Sequence, residues 1–149
     1  PHKGSVIAFC EHFPDNPSQH TGWLWVNGEP RRLNFPEVGG FEVTDVASKP
    51  DGTLFVLQRR FKWTEGVKMR LLRFAAEEVR PGAVMEPEML LEADMSYEID
   101  NMEGLAIHKG SRGETVLTMI SDDNFNSLLQ RTILLQFTLA DEGKAAQKQ

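Results

Sequence analysis

The chain has 149 residues, one domain's length, with 40 % hydrophobic and 26 % charged residues, the composition of a protein that buries an ordinary core. A net charge of −6 works against a phosphate-neutralising surface, and no apolar run nears the roughly 18–20 residues of a membrane span, so neither a nucleic-acid nor a membrane partner is expected. The lone Cys10 excludes an intrachain disulfide, which suits a reducing compartment and a disulfide-free oxidising one alike.

No signal peptide opens the sequence, and Pro1-His-Lys-Gly reads as the interior of a longer protein with a segment upstream. Short β-branched and aromatic runs then alternate with Gly, Pro, Asn and Asp punctuation, the mark of strands. Ser5–Cys10, Gly22–Val26 and Arg31–Phe35 are three predicted strands. Trp23 and Trp25 share a face of the second and are expected to pack between sheets. Val43–Ser48, Thr53–Gln58, Lys68–Phe74 and Glu88–Glu92 follow, with turns at Pro50–Gly52 and Thr64–Gly66. A helical turn is expected from Phe74 to Arg80, closed by Pro81-Gly82. Met102–His108, Thr115–Ile120 and Arg131–Leu139 are the last strands, and Ala140–Gln149 is a polar tail expected to fray.

Three stretches in this series read as one element: Ser5–Phe13, Thr53–Phe61 and Thr115–Phe125. Each is an apolar run, a pair of strongly polar residues and an aromatic. Recurrence at about 50–60 residues is the signature of a repeat architecture. Four antiparallel strands in about 50 residues are the unit of a β-propeller blade. The fold expected is therefore all-β, made of propeller blades, with a remnant at 5–36, a full blade at 41–92, a remnant at 100–139 and the tail at 140–149. Propellers typically have four to eight blades, so the chain amounts to roughly half of one. The remaining half would come from the same polypeptide or from a second copy of the chain.

Blade-equivalent positions converge near a propeller's axis, which singles out the polar pairs and the acids beside them. Asp45 and Glu103 lie in first strands, and Asp122, Asp123 and Asn124 follow a second strand. Oxygen-rich side chains at this density suit a hard cation such as Ca²⁺, which takes 6–8 oxygen ligands; a solvated turn with Asx capping suits Asp-Asp-Asn equally. Arg59 and Arg60 sit where Asp122 and Asp123 sit in the next copy, and Glu11 and His12 in the previous one. A guanidinium fork fits phosphate or carboxylate. The alternative is an ion pair between neighbouring blades, from Arg59 or Arg60 to Asp122 or Asp123. Cys10 reads as a small buried hydrophobe. Nucleophile-elbow, phosphate-loop and dinucleotide motifs are missing from the sequence.

Glu98-Ile-Asp-Asn-Met-Glu-Gly-Leu-Ala106, Ile120-Ser-Asp-Asp-Asn-Phe125 and Gln130-Arg-Thr-Ile-Leu-Leu-Gln-Phe137 resemble the C-terminal signature of the bacterial "esterase-like activity of phytase" propeller family. Val43–Ala47 and Pro50–Phe61 resemble its preceding blade. The resemblance covers about residues 5–139 and implies a β-propeller in an exported, periplasmic or secreted, bacterial protein that hydrolyses a phosphoester or ester on a small anionic substrate. By likeness to calcium-dependent propeller phytases, it implies Ca²⁺ held by Glu103, Asp122 and Asp123 and phosphate held by Arg59 and Arg60, while the family offers no defined catalytic set. The repeat positions add Asp45 and Asn124 as further metal ligands and His12 as a further substrate-binding residue, and Glu103, Asp122 or Asp123 is expected to be catalytic. The other expectation is a non-catalytic propeller that binds a ligand or a protein.

Overall fold

The computed structural model describes residues 4–123, 125 and 131–140. It is all-β: three antiparallel sheets built in chain order, one of them four-stranded. Sheet 1 holds β1 (Ile7–Phe9), β2 (Gln19–Val26) and β3 (Glu29–Pro36). Sheet 2 holds β4 (Glu42–Ser48), β5 (Leu54–Lys62), β6 (Gly66–Phe74) and β7 (Glu88–Asp94). Sheet 3 holds β8 (Met102–Lys109), β9 (Thr115–Ser121) and β10 (Leu134–Thr138). Every sheet is a meander in sequence order, the form of a propeller blade. The three look-alike segments form β1, β5 and β9, and their polar pairs all fall toward the same end of the sheets.

Turn chemistry fixes the hairpins. Asn27 and Gly28 both take positive φ between β2 and β3, as a tight two-residue hairpin requires. Gly22 is a close-approach position, because a Cβ there would lie 2.5 Å from the Phe9 ring and 2.7 Å from the Ala8 carbonyl oxygen. The expected helical turn after Phe74 is a plain turn at 76–78, where Glu78 accepts from the Ala75 and Glu86 amides instead of continuing a helix. A 3₁₀ turn unforeseen in the sequence runs over Met95–Tyr97, capped by the Asp94 carboxylate on the Ser96 amide.

Alternation along β5 makes the cores. Leu54 and Val56 point into a cluster with Leu24, Leu33, Phe35 and Phe74, between sheets 1 and 2. Phe55 and Leu57 point the other way, into a cluster with Met69, Met102, Leu117 and Met119, between sheets 2 and 3. A strand buried on both faces reads as an unbroken apolar run, which Leu54–Leu57 is. Trp23 and Trp25 are only half-buried, because Leu24 takes the core-facing position and the tryptophans take the opposite face. Cys10 is also half-buried, since it sits just past β1, where the backbone leaves the sheet.

The outer edge of sheet 1 is covered from within. The 82–85 segment runs beside β3, with the Asn34 amide donating to Ala83 and the Met85 amide to Asn34. First strands of neighbouring sheets face one another, β4 packing against β8.

Candidate functional site

Two β-bulges set the site. The pairing of β4 with β5 shifts between Val43 and Asp45, and that of β8 with β9 shifts between Met102 and Gly104. The extra residues are Thr44 and Glu103, at matching points of two successive first strands. A bulge re-aims a side chain and increases local twist, and bulges gather beside functional sites. Thr44 uses its hydroxyl to tie the sheets together, donating to the Met102 carbonyl at 3.0 Å. Glu103 has no such backbone duty and faces Arg59. Sequence inspection alone passes over Thr44, since a bulge is a property of pairing; the matching Val-Thr-Asp and Met-Glu-Gly strand starts were the available signal.

Arg59 is the centre of the arrangement. β5 is longer than the sequence suggests, pairing with β6 as far as Lys62 and Gly66, so both arginines lie within the strand. Successive residues of a strand point to opposite faces. Arg59 therefore points the way of Leu57, toward sheet 3, and Arg60 the way of Val56 and Gln58, toward sheet 1. The Arg59 guanidinium lies 3.6 Å from Glu103 and 3.7 Å from Glu11, linking all three sheets. Both contacts are longer than good hydrogen bonds, and the buried Arg59 Nε makes none. Arg60 is elsewhere: it pairs with Glu65, donates to the Gly39 carbonyl at 2.7 Å and lies over the Phe41 ring. The inter-sheet ion pair anticipated for these arginines thus forms through Arg59, with glutamates in place of Asp122 and Asp123.

The remaining candidates divide between this end and structural duty. Asp45 accepts the Leu105 amide at 2.6 Å and the Val46 amide at 2.8 Å, fastening β4 to β8. Asp122 follows β9 at the end of the sheets where Glu103 stands, its amide donating to Asn101. Asp123 accepts the Phe125 amide at 3.0 Å, the Asx capping that its sequence also suggested. Asn124 lies outside the described residues. Asp100, buried behind this turn, accepts the Arg131 and Asn101 amides, and so fixes where β10 begins.

His12 is exposed and lines a cleft of about 270 Å³ between sheets 1 and 2, together with Glu11, Glu37, Glu42 and His20. His20 is 6 % exposed, rests on Phe35 and shares a 2.9 Å hydrogen bond with Gln58. Burial holds its imidazole below the usual value, with Glu37 opposing the shift and Arg70 and His12 adding to it.

Among the described residues no three His, Cys, Asp or Glu side chains converge as a metal site requires. Asp45 in particular is already engaged by two amides.

Three meandering antiparallel sheets, with a cation held between carboxylates where their ends meet, define an all-β protein of propeller-blade type. A family model for phytase-like proteins, described as esterase-like activity of phytase, matches residues 12–125, and the chain belongs to that family. Comparison with curated proteins gave no match, and comparison with solved structures gave none.

Proposed function

We propose that the chain carries part of the substrate face of a phytase-like hydrolase acting on an anionic phosphoester or ester. Membership of the phytase-like family supports the reaction class. The observation that carries the reading is Arg59, whose guanidinium is loosely held by Glu11 and Glu103 and whose Nε is unbonded. An incoming anion replaces weak, half-exposed ion pairs with direct donors at little cost, since such pairs contribute about 1 kcal/mol or less. Glu103, next to Arg59, is then placed to accept or deliver a proton, with Asp122 and Asp123 at the same end of the sheets. Calcium belongs to this proposal as an assistant: when bound it would neutralise substrate charge and lower the pKa of water. Its oxygen ligands would be drawn from Glu103, Asp122, Asp123 and Asn124, brought together only on binding the ion, since the described ones do not converge without it. An exported location, periplasmic or secreted, rests on the resemblance to the family.

Turnover of p-nitrophenyl phosphate, p-nitrophenyl acetate and inositol hexakisphosphate, with calcium and with chelator, tests the reading. Arg59→Ala is expected to cost at least about tenfold in kcat/KM, and Glu103→Gln more, with the fold intact by circular dichroism. Turnover that ignores both substitutions would refute it.

A non-catalytic binding module is the second reading. It is favoured by Asp45, whose carboxylate is taken up by the Val46 and Leu105 amides, and by Arg60, whose guanidinium is taken up by Glu65 and the Gly39 carbonyl. Absence of turnover on all three substrates, with saturable binding of the phosphate compound, is its expected signature. The rest of the ring would be supplied by the same polypeptide or by a second copy.

A further inference from the structure

The hairpin of β5 and β6 carries an aromatic pair that neither the cores nor the hydrolase reading uses. Phe61 is 51 % exposed and Trp63 is 92 % exposed, and their rings meet edge to face with centroids 5.4 Å apart. Trp23 and Trp25 are half-buried, so among the described residues Trp63 is the tryptophan held out in solvent. One exposed apolar side chain is ordinary, but two rings packed on each other at a hairpin tip offer a ready contact surface for a flat partner.

The hairpin holds these rings in place. β5 and β6 pair without a register shift from Leu54 and Phe74 to Lys62 and Gly66. The Glu65 amide closes the turn on the Lys62 carbonyl at 3.0 Å, and Gly66 takes a positive φ of 73°. Met95 braces the base, its sulfur lying 2.8 Å from where a Cβ on Gly66 would stand.

Strand alternation ties the pair to Arg59. Phe61 is two residues beyond Arg59 in β5, so it stands on the same face, about 7 Å further toward the end of the sheets. Arg59 is the loosely held guanidinium there, with its Nε buried and unbonded. An anion seated on Arg59 that carries a ring would lay that ring along Phe61 and against Trp63. Charge agrees, since Arg60, Lys62 and Lys68 share the single carboxylate of Glu65, three cations against one anion. A lipid surface is the poorer partner, because a net charge of −6 opposes anionic headgroups.

We propose, resting on the reading of Arg59 as an anion site, that Phe61 and Trp63 form a ring-binding subsite beside it and that the substrate is a phosphoester of an aromatic alcohol. Hydrolysis of such an ester breaks the bond between phosphorus and the aryl oxygen. The oxygen of water takes that place on phosphorus, and a proton of water leaves with the phenol. Phe61 and Trp63 hold the ring and take no part in the proton transfer.

Phenylphosphonate and methylphosphonate share an anion, differ in the ring and have no ester bond to cleave, so they test the subsite apart from turnover. Calorimetric titration of the full chain with each, and with phenol as the ring without the anion, is the experiment. Phenylphosphonate should bind at least about fivefold more tightly than methylphosphonate, and phenol should not saturate. Trp63→Ala and Phe61→Ala should bring the two phosphonates to within about twofold of each other, while Trp63→Phe keeps most of the preference. Arg59→Ala should weaken both phosphonates alike. Phe61 and Trp63 are exposed, so circular dichroism should show both alanine variants folded. Equal affinity for the two phosphonates, with both weakened in Arg59→Ala, overturns the subsite and leaves the hydrolase reading standing. A ring preference that persists in Trp63→Ala and in Phe61→Ala also overturns it, as does binding to phosphatidylcholine vesicles that Trp63→Ala abolishes, which would assign the pair to a lipid surface. No binding of either phosphonate removes the anion site and the subsite with it. Ring-selective binding without turnover of p-nitrophenyl phosphate upholds the subsite and removes the hydrolase reading.

Discussion

Arg59 and Arg60 are neighbours in sequence and strangers in space. A strand separates adjacent side chains onto opposite faces, so one guanidinium serves the junction with sheet 3 and the other a surface pair with Glu65. The same alternation sends Gln58 to His20, where a titratable group is locked between two sheets. His20 has its proton affinity lowered in the folded state by burial, while Glu37 pulls the other way and Arg70 and His12 reinforce the lowering. Glu42 and Glu11 stand across the cleft. An unfolded histidine takes its proton near pH 6.5, and the folded one only at lower pH. Between those values the unfolded state binds more protons, so His20 removes stability as pH falls through that window and removes none above it. Denaturant unfolding of the wild type should show this loss between pH 7.5 and pH 5, and His20→Phe should show a shallower pH slope. Equal slopes would mean that His20 does not titrate differently in the two states.

β5 is the structural centre of its sheet, being paired on both sides and buried on both faces. Leu57 is fully buried and packs with Met69, Leu117 and Met119. Truncation there leaves a cavity that two packed sheets cannot close, so Leu57→Ala should cost about 2–5 kcal/mol in a urea melt. Leu134, 60 % exposed on β10, is the matched control. Its alanine variant should fall within about 0.5 kcal/mol of wild type. A loss at Leu134 as large as that at Leu57 would mean that β10 is covered in solution by something beyond the described residues.

That comparison leads to the edges of the molecule. Among the described residues β1 has no strand on its outer side and neither does β10, while the fourth strand of sheet 2 shows what completes a blade. Beside β10 lies an apolar cavity of about 420 Å³ lined by Met69, Leu91, Ala93, Tyr97, Ile99 and Phe137. Another of about 460 Å³, lined by Val6, Ile7, Val46, Ala47 and Ile107, lies beside β1. Open strand edges next to apolar surface are association sites. The chain on its own should therefore associate with rising concentration in sedimentation velocity, and Phe137→Lys should shift it toward monomer. A monomer unchanged across a hundredfold concentration range would show that these edges are self-sufficient.

The strands, their order and the repeat were legible because they follow from local patterning: alternation, turn residues and spacing are written residue by residue. So was the end of the sheets at which Glu11, Arg59, Glu103 and Asp122 stand, because the strand direction repeats in each sheet. Partner choice was not legible. Whether an arginine meets an aspartate or a glutamate depends on a bulge, a strand longer by a few residues and the side of the sheet it points to, and these are settled by pairing between distant segments. The acidic cleft with His20 at its wall is the extreme case, since its lining comes from the loops and strands of two sheets and no short stretch of sequence contains it.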